Sequence, residues 1–179
     1  MPDCYGGKEL ADSFRTVRKN TIQIAEDIPE ASYGFVAAPE VRPVGRMLAH
    51  IAITTPITQE LQESGITSFV GFDFFKIMDR FQAEENKPWT KAELVGLLRK
   101  EGERFATWQE SLTPEFLAER ITEADGKSSK TRFERLLGTK EHELHHRAQL
   151  MLIERQLGIV PHLTRQFHER VAQMKAAKA

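Results

Sequence analysis

The chain has 179 residues, with 25 Lys and Arg against 26 Asp and Glu, and a formal net charge of -1. That balance excludes a surface built mainly to neutralise nucleic-acid phosphates. No run approaches the ~18 apolar residues of a membrane span, and Met1-Pro2-Asp3-Cys4-Tyr5 has neither the basic start nor the apolar run of a secretory signal.

The first element is a helix over about 8–27, where Leu10, Phe14, Val17, Thr21, Ile24 and Ile28 recur at steps of three and four. Pro29 stops it, and residues 29–43, with three prolines and Gly34, read as a loop. A second helix opens near Pro43 with a stripe of Val44, Met47, Leu48, Ile51 and Thr55. Pro56 falls inside this pattern, removes the bond to the Ala52 carbonyl, and is expected to kink the helix just past His50. Residues 64–89 crowd Phe69, Phe72, Phe74, Phe75 and Phe81 between turns. They read as a loop with one or two short helices, or alternatively with an edge strand at 68–72.

Thr90-Lys91-Ala92-Glu93 is a capping box, in which hydroxyl and carboxylate each serve the other residue's backbone N–H. The helix it opens buries Leu94, Leu98, Phe105, Trp108 and Leu112. Thr113-Pro114 starts a short helix through about Ile121, and 123–130 is a polar connection. A last long helix spans about 131–157 and ends at Gly158, with Pro161 beyond it. The tail over 162–179 has helical composition and frays at its end. Four long helices with short extras and no clear strand make an all-α bundle, in one domain over 1–179. The single Cys4 cannot form an internal disulfide, which suits a reducing, cytoplasmic setting.

Of the six His, three lie between 142 and 146. On a wheel of the last helix with Phe133 at zero, Phe133, Leu137, Leu144, Ala148 and Met151 fall at about 0–60° and read as plain core. His142, Gln149 and Ile153 fall at about 160–200°, His146 near 220° and Leu157 near 240°. His142 and His146, four apart, stack on one side and can share an ion about 2 Å from each nitrogen. His145 points about 80° away from that pair. Two His hold a metal weakly, so a third ligand is expected, and His50, beside Met47, Thr54, Ile57 and Leu61, is the candidate. His162 and His168, past Gly158 and Pro161, are expected on the surface. Two plainer readings compete: His50 as a hydrogen-bonded core residue, and His142/His146 as a surface pair. His142-Glu143-Leu144-His145-His146 also satisfies H-E-x-x-H, the zinc-protease pattern with Glu143 as general base. The polar His145, Arg147 and Gln149 and the lack of a substrate-binding strand weigh against it.

Three segments together resemble the DinB/YfiT-like proteins, small four-helix-bundle metalloproteins. They are Ile28-Pro29-Glu30-Ala31-Ser32-Tyr33-Gly34-Phe35 with Pro39-Glu40-Val41-Arg42-Pro43-Val44-Gly45; Met47-Leu48-Ala49-His50-Ile51-Ala52; and His142 to Leu150 with Arg155-Gln156-Leu157-Gly158-Ile159-Val160-Pro161. Order and spacing agree over about 8–161. The resemblance implies an up-down-down-up bundle whose metal ligands are His50, His142 and His146, with His145 a non-ligand neighbour. It also implies a homodimer. Family members include thiol S-transferases that use low-molecular-weight thiols, isomerases of thiol adducts, and proteins called metal-dependent hydrolases without a known substrate.

Three neutral imidazoles suit one divalent ion, Zn, Ni or Fe, and leave a position open. Either an acidified water or a substrate thiolate could then be the nucleophile, acting on a small-molecule substrate. The alternative is a non-catalytic stress or sensing protein whose metal is closed in by a fourth protein ligand. Glu143 is the nearest carboxylate in sequence and could serve as base or supporting partner, but its position about 60° beyond His146 on the wheel weighs against it, and the catalytic residue is not identified.

Overall fold

The computed structural model describes residues 5–178; residues 1–4, including the lone Cys4, and Ala179 lie outside them. The long helices are α1 (Gly7–Asp27), α2 (Val44–Glu63), α4 (Lys91–Glu110) and α6 (Arg132–Gln156). Shorter helices are α3 (Phe74–Glu85), α5 (Pro114–Ala118) and α7 (His162–Ala176). Local chemistry sets several starts. At α4, Thr90 accepts from Glu93 N–H while Glu93 accepts from Thr90 N–H at 2.8 Å. At α6, Thr131 and Glu134 repeat the arrangement. Pro56 does not end α2: the Ala52 carbonyl that loses its ladder partner accepts the Thr55 hydroxyl at 3.2 Å instead.

α1 packs on α4 and α6, and α2 packs on the same two, so the ring order is α1–α4–α2–α6. Side-chain pairs set the directions. Arg15 on α1 meets Glu103 and Glu110 of α4, while Lys91 at the start of α4 bonds the Glu26 and Ile28 carbonyls, so α1 and α4 are antiparallel. Lys140 bonds Ser13, and Glu143 accepts from Thr21, so α6 runs parallel to α1. His50 meets His142 while Gln62 meets Arg132, so α2 opposes α6. The topology is therefore up-down-down-up. Successive parallel helices α2 and α4 need a return, and 64–90 provides it: α3 runs back along α2, with Arg80 on Glu60 and Glu85 on His50.

The core divides in two. Leu10, Phe14, Phe105, Leu117 and Leu136 pack at one end; Ile24, Met47, Leu48, Leu94, Leu98 and Leu150 pack at the other. Between them lies a polar waist. Arg18, 3% exposed, reaches from α1 to Glu143 on α6 (3.0 Å), the Leu98 carbonyl on α4 (2.9 Å) and the Ile51 carbonyl on α2 (3.3 Å). Gly102 makes room for it, since a Cβ there would lie 2.6 Å from Arg18 Cγ.

Three expectations are corrected. The short helix after Thr113 ends at Ala118, and β1 (Arg120–Thr122) pairs antiparallel with β2 (Ser129–Thr131) across the polar 123–128 turn, where Asp125 accepts from Lys127 and Ser128 N–H. Residues 68–72 form no strand, only a bridge between Ser68 and Thr122. On α6 the buried stripe is Arg132, Leu136, Thr139, Glu143, His146, Leu150 and Ile153, centred near 250° on the wheel. Phe133, Leu137, Leu144 and Met151 only flank it, and Ala148 is exposed. Partnered polar residues fill the inward face, so apolarity does not mark it.

Candidate metal centre

α6 lies between α1 and α2 and presents different residues to each. Glu143 points towards α1, where it accepts from Arg18 Nε (3.0 Å) and Nη2 (3.0 Å) and from the Thr21 hydroxyl (2.7 Å). His142 and His146 point towards α2. Their Nε2 atoms lie 3.2 Å apart, and His142 Nε2 lies 3.0 Å from His50 Nε2. The donor atoms of His50, His142 and His146 all fall within 4.8 Å of one another, and no other His, Cys, Asp or Glu joins the group among the described residues. His145 is exposed and stacks edge-on against His146 at 5.0 Å, outside the group.

The back of each ring decides what the front can do. Glu85, 2% exposed, accepts a hydrogen bond from His50 Nδ1–H at 2.7 Å, and its other oxygen accepts from Arg42 Nε at 2.8 Å. Gln149 Oε1 accepts from His146 Nδ1–H at 2.8 Å. With Nδ1 protonated in both rings, each Nε2 is a bare lone pair. His142 Nδ1 is buried without a partner. Its Nε2–H could donate to one neighbour only, so three imidazoles alone leave at least one Nε2 lone pair without a donor. A cation satisfies it. Four-coordinate nitrogens 2.0–2.1 Å from an ion are about 3.3–3.4 Å apart, close to the 3.0 and 3.2 Å observed. The residues present therefore fit a divalent transition metal.

Electrostatics agree. Burial, then the neighbouring imidazoles and Arg42, push His142 down to about 4. His50 and His146 are lowered as well, chiefly by burial. All three are neutral at pH 7, with lone pairs free. Burial opposes the charge of Glu85, but hydrogen bonds from Arg42 and His50 outweigh it and hold its pKa below the ordinary value.

Glu143 is thus not available as a base. It is 2% exposed and bound on both oxygens inside the waist, which removes the H-E-x-x-H protease role. His162 is buried, not on the surface, with Nε2 3.0 Å from Asn20 Oδ1, whereas His168 is exposed. Two functional neighbours escaped the sequence reading. Gln149 shares the His142 stripe, but nothing distinguished it from a surface amide. Glu85 lies 35 residues from His50 on a helix the reading did not define, with no local signal.

No helix among the described residues is long and apolar enough to cross a membrane. Among curated proteins, none matches the chain. Solved structures that share its fold include two from Bacillus subtilis. The DinB-like protein YjoA of Bacillus subtilis is 22% identical, with a TM-score of 0.62 over 84% of this chain and 92% of that one. YfiT of Bacillus subtilis, described as a probable metal-dependent hydrolase with an unusual four-helix bundle topology, is 16% identical, with a TM-score of 0.67 over 86% and 88%. The family model of the DinB superfamily matches residues 13–150, which include all three clustered His, and the chain belongs to that superfamily.

Proposed function

We propose that this protein is a metal-dependent enzyme acting on a small-molecule substrate through His50, His142 and His146, with hydrolysis as its reaction. The observation that carries this reading is the convergence of three Nε2 atoms with no fourth protein donor among the described residues. Structural sites are closed by a fourth ligand, and catalytic ones keep a position open. The hydrolase description of YfiT supports the choice of reaction.

When bound, a divalent ion supplies positive charge that brings the pKa of a coordinated water or thiol near neutrality. The chain's own residues prepare that position. Glu85 fixes the His50 tautomer and ring angle, and Arg42 keeps Glu85 ionised so that it remains an acceptor. Gln149 does the same for His146 without adding charge. The Phe81 ring, 4.9 Å from that of His50, shields one side of the imidazole from water.

A second reading, transfer of a low-molecular-weight thiol, is favoured by one observation. Glu85 and Glu143 are both buried and hydrogen-bonded on both oxygens, so neither is free to take a proton from water. A thiol that ionises near neutrality needs no such base.

Zinc-loaded protein incubated with ester and amide panels, and separately with thiol-plus-electrophile pairs, distinguishes the two. Turnover in one set that His142→Ala abolishes supports the matching reaction. Absence of turnover in both, with a fourth protein ligand on the ion, supports a structural or sensing role.

A further inference from the structure

α3 lies on the bundle rather than in it. Of its 12 residues only Glu85 is buried, and it packs chiefly on α2. Cavities flank that contact. One, of about 470 Å³, lies between α2, α3 and α4, with Ile53, Pro56, Ala83, Trp89 and Leu97 among its walls. The other, of about 440 Å³, sets Ile57 and Leu61 of α2 against Phe72 and Ile77. A helix this short is marginal without packing, and segments with few buried apolar contacts are the ones that open locally.

A few polar ties hold α3 down. Arg80, which lines both cavities, bonds Glu60 at 2.8 and 2.9 Å, but both side chains are more than half exposed, and such pairs contribute little. Trp89 Nε1 donates to the Glu84 carbonyl at 2.9 Å. The buried tie is at the last turn. There Glu85 accepts from His50 Nδ1–H and Arg42 Nε, and the Phe81 ring lies 4.9 Å from the His50 ring. That tie runs straight into the metal centre. At the other end, Gly65 and Gly71 hold φ of 74° and 71° in the loop leading into α3, where glycine lets the chain turn without strain.

We propose that α3 is a flap fastened by the metal: an ion on His50, His142 and His146 holds α3 down on α2 and so completes the cavity walled by Trp89, and without the ion α3 lifts. The inference rests on the metal-centre reading above and adds a conformational control to it. With α3 lifted, His50 has no Glu85 behind it, and losing such a partner lowers metal affinity about 10–100-fold. Linkage is reciprocal, so the ion favours the docked flap over the lifted one by the same factor. Metal loading therefore precedes the binding of anything that uses the cavities under α3.

The test is hydrogen exchange of the full-length protein, followed by mass spectrometry, with and without saturating zinc, and with bound zinc measured on the same samples. Amides of Phe74–Glu85 should exchange about 10–100-fold more slowly with zinc. Amides of α7, a mostly exposed helix tied to α1 through Asn20 and Asp27, should not change. Glu85→Ala at saturating zinc should erase the zinc effect on α3. Arg80→Ala, which cuts only the exposed tie, should speed α3 exchange in both states and keep the zinc effect. Bound zinc with unchanged α3 exchange in wild type, a zinc effect that survives Glu85→Ala, or one lost in Arg80→Ala overturns the flap and leaves the metal centre standing. If the protein takes up no zinc, both readings fall.

Discussion

Glu85 supports a ring that the metal reading requires, so its replacement probes the site without removing a ligand. Its carboxylate is buried, 2.7 Å from His50 Nδ1 and 2.8 Å from Arg42 Nε. Both contacts are charge-assisted and short. Glu85→Gln keeps an acceptor for the His50 proton but loses the charge that makes the imidazole a stronger donor to a metal. Glu85→Ala loses both, and frees the ring to rotate. Removing such supporting partners costs 10–100-fold in metal affinity. The expected loss is about tenfold for Gln and towards 100-fold for Ala, or about 1.4 to 2.8 kcal/mol. Competition with a chromophoric chelator at neutral pH measures it, on variants shown by circular dichroism to be folded. Glu84→Gln is the control, since Glu84 bonds Lys87 at the surface of the same helix. Wild-type affinity in Glu85→Ala, or an equal loss in Glu84→Gln, would show that Glu85 does not support His50 as a ligand.

Other consequences follow from the waist and the α6–α7 corner. Glu143→Gln breaks a buried, doubly bonded ion pair and should lower stability by about 3–5 kcal/mol, read from denaturant unfolding. The folded fraction should still bind metal, because Glu143 faces Arg18 and Thr21; loss of metal from folded protein would return Glu143 to the site. Glu154 is fully buried, neither carboxylate oxygen has a partner, and burial raises its pKa to about 7. The native state therefore keeps a proton that the unfolded chain, with a pKa near 4.5, releases, so this group's contribution to stability falls as pH rises from about 4.5 to 7. Glu154→Gln should match wild type near pH 4.5 and exceed it by about 1–3 kcal/mol at pH 8, in paired urea titrations. A constant difference across that range would contradict a protonated Glu154.

The sequence carried the frame well because helix ends are written locally. Thr90/Glu93 closes its capping box where the spacing puts it, α6 starts just after Thr131 as expected, and Gly158 follows α6 with φ +77°. The His triad was legible because i, i+4 on a helix fixes a shared side, and because the order and spacing of three segments resembled a family. The hairpin at 120–131 was not, since strands of three residues carry too little alternation to register. The inward face of α6 was misread for a physical reason. Its polar members, Arg132, Thr139, Glu143 and His146, are buried among partners on other helices that no wheel of α6 can show. Glu85 is the sharpest case: one of 26 acidic residues, it acquires its role only when α3 folds back along α2 and sets it behind His50.

The metal content of single His variants decides whether His50, His142 and His146 hold the ion. Wild-type protein loaded with zinc and desalted should carry about one ion per chain, and His50→Ala, His142→Ala and His146→Ala should each lose it. His145→Ala, whose ring lies outside the cluster, should keep it. A His50→Ala protein that retains a full equivalent, or a His145→Ala protein that loses it, would contradict a centre built from His50, His142 and His146.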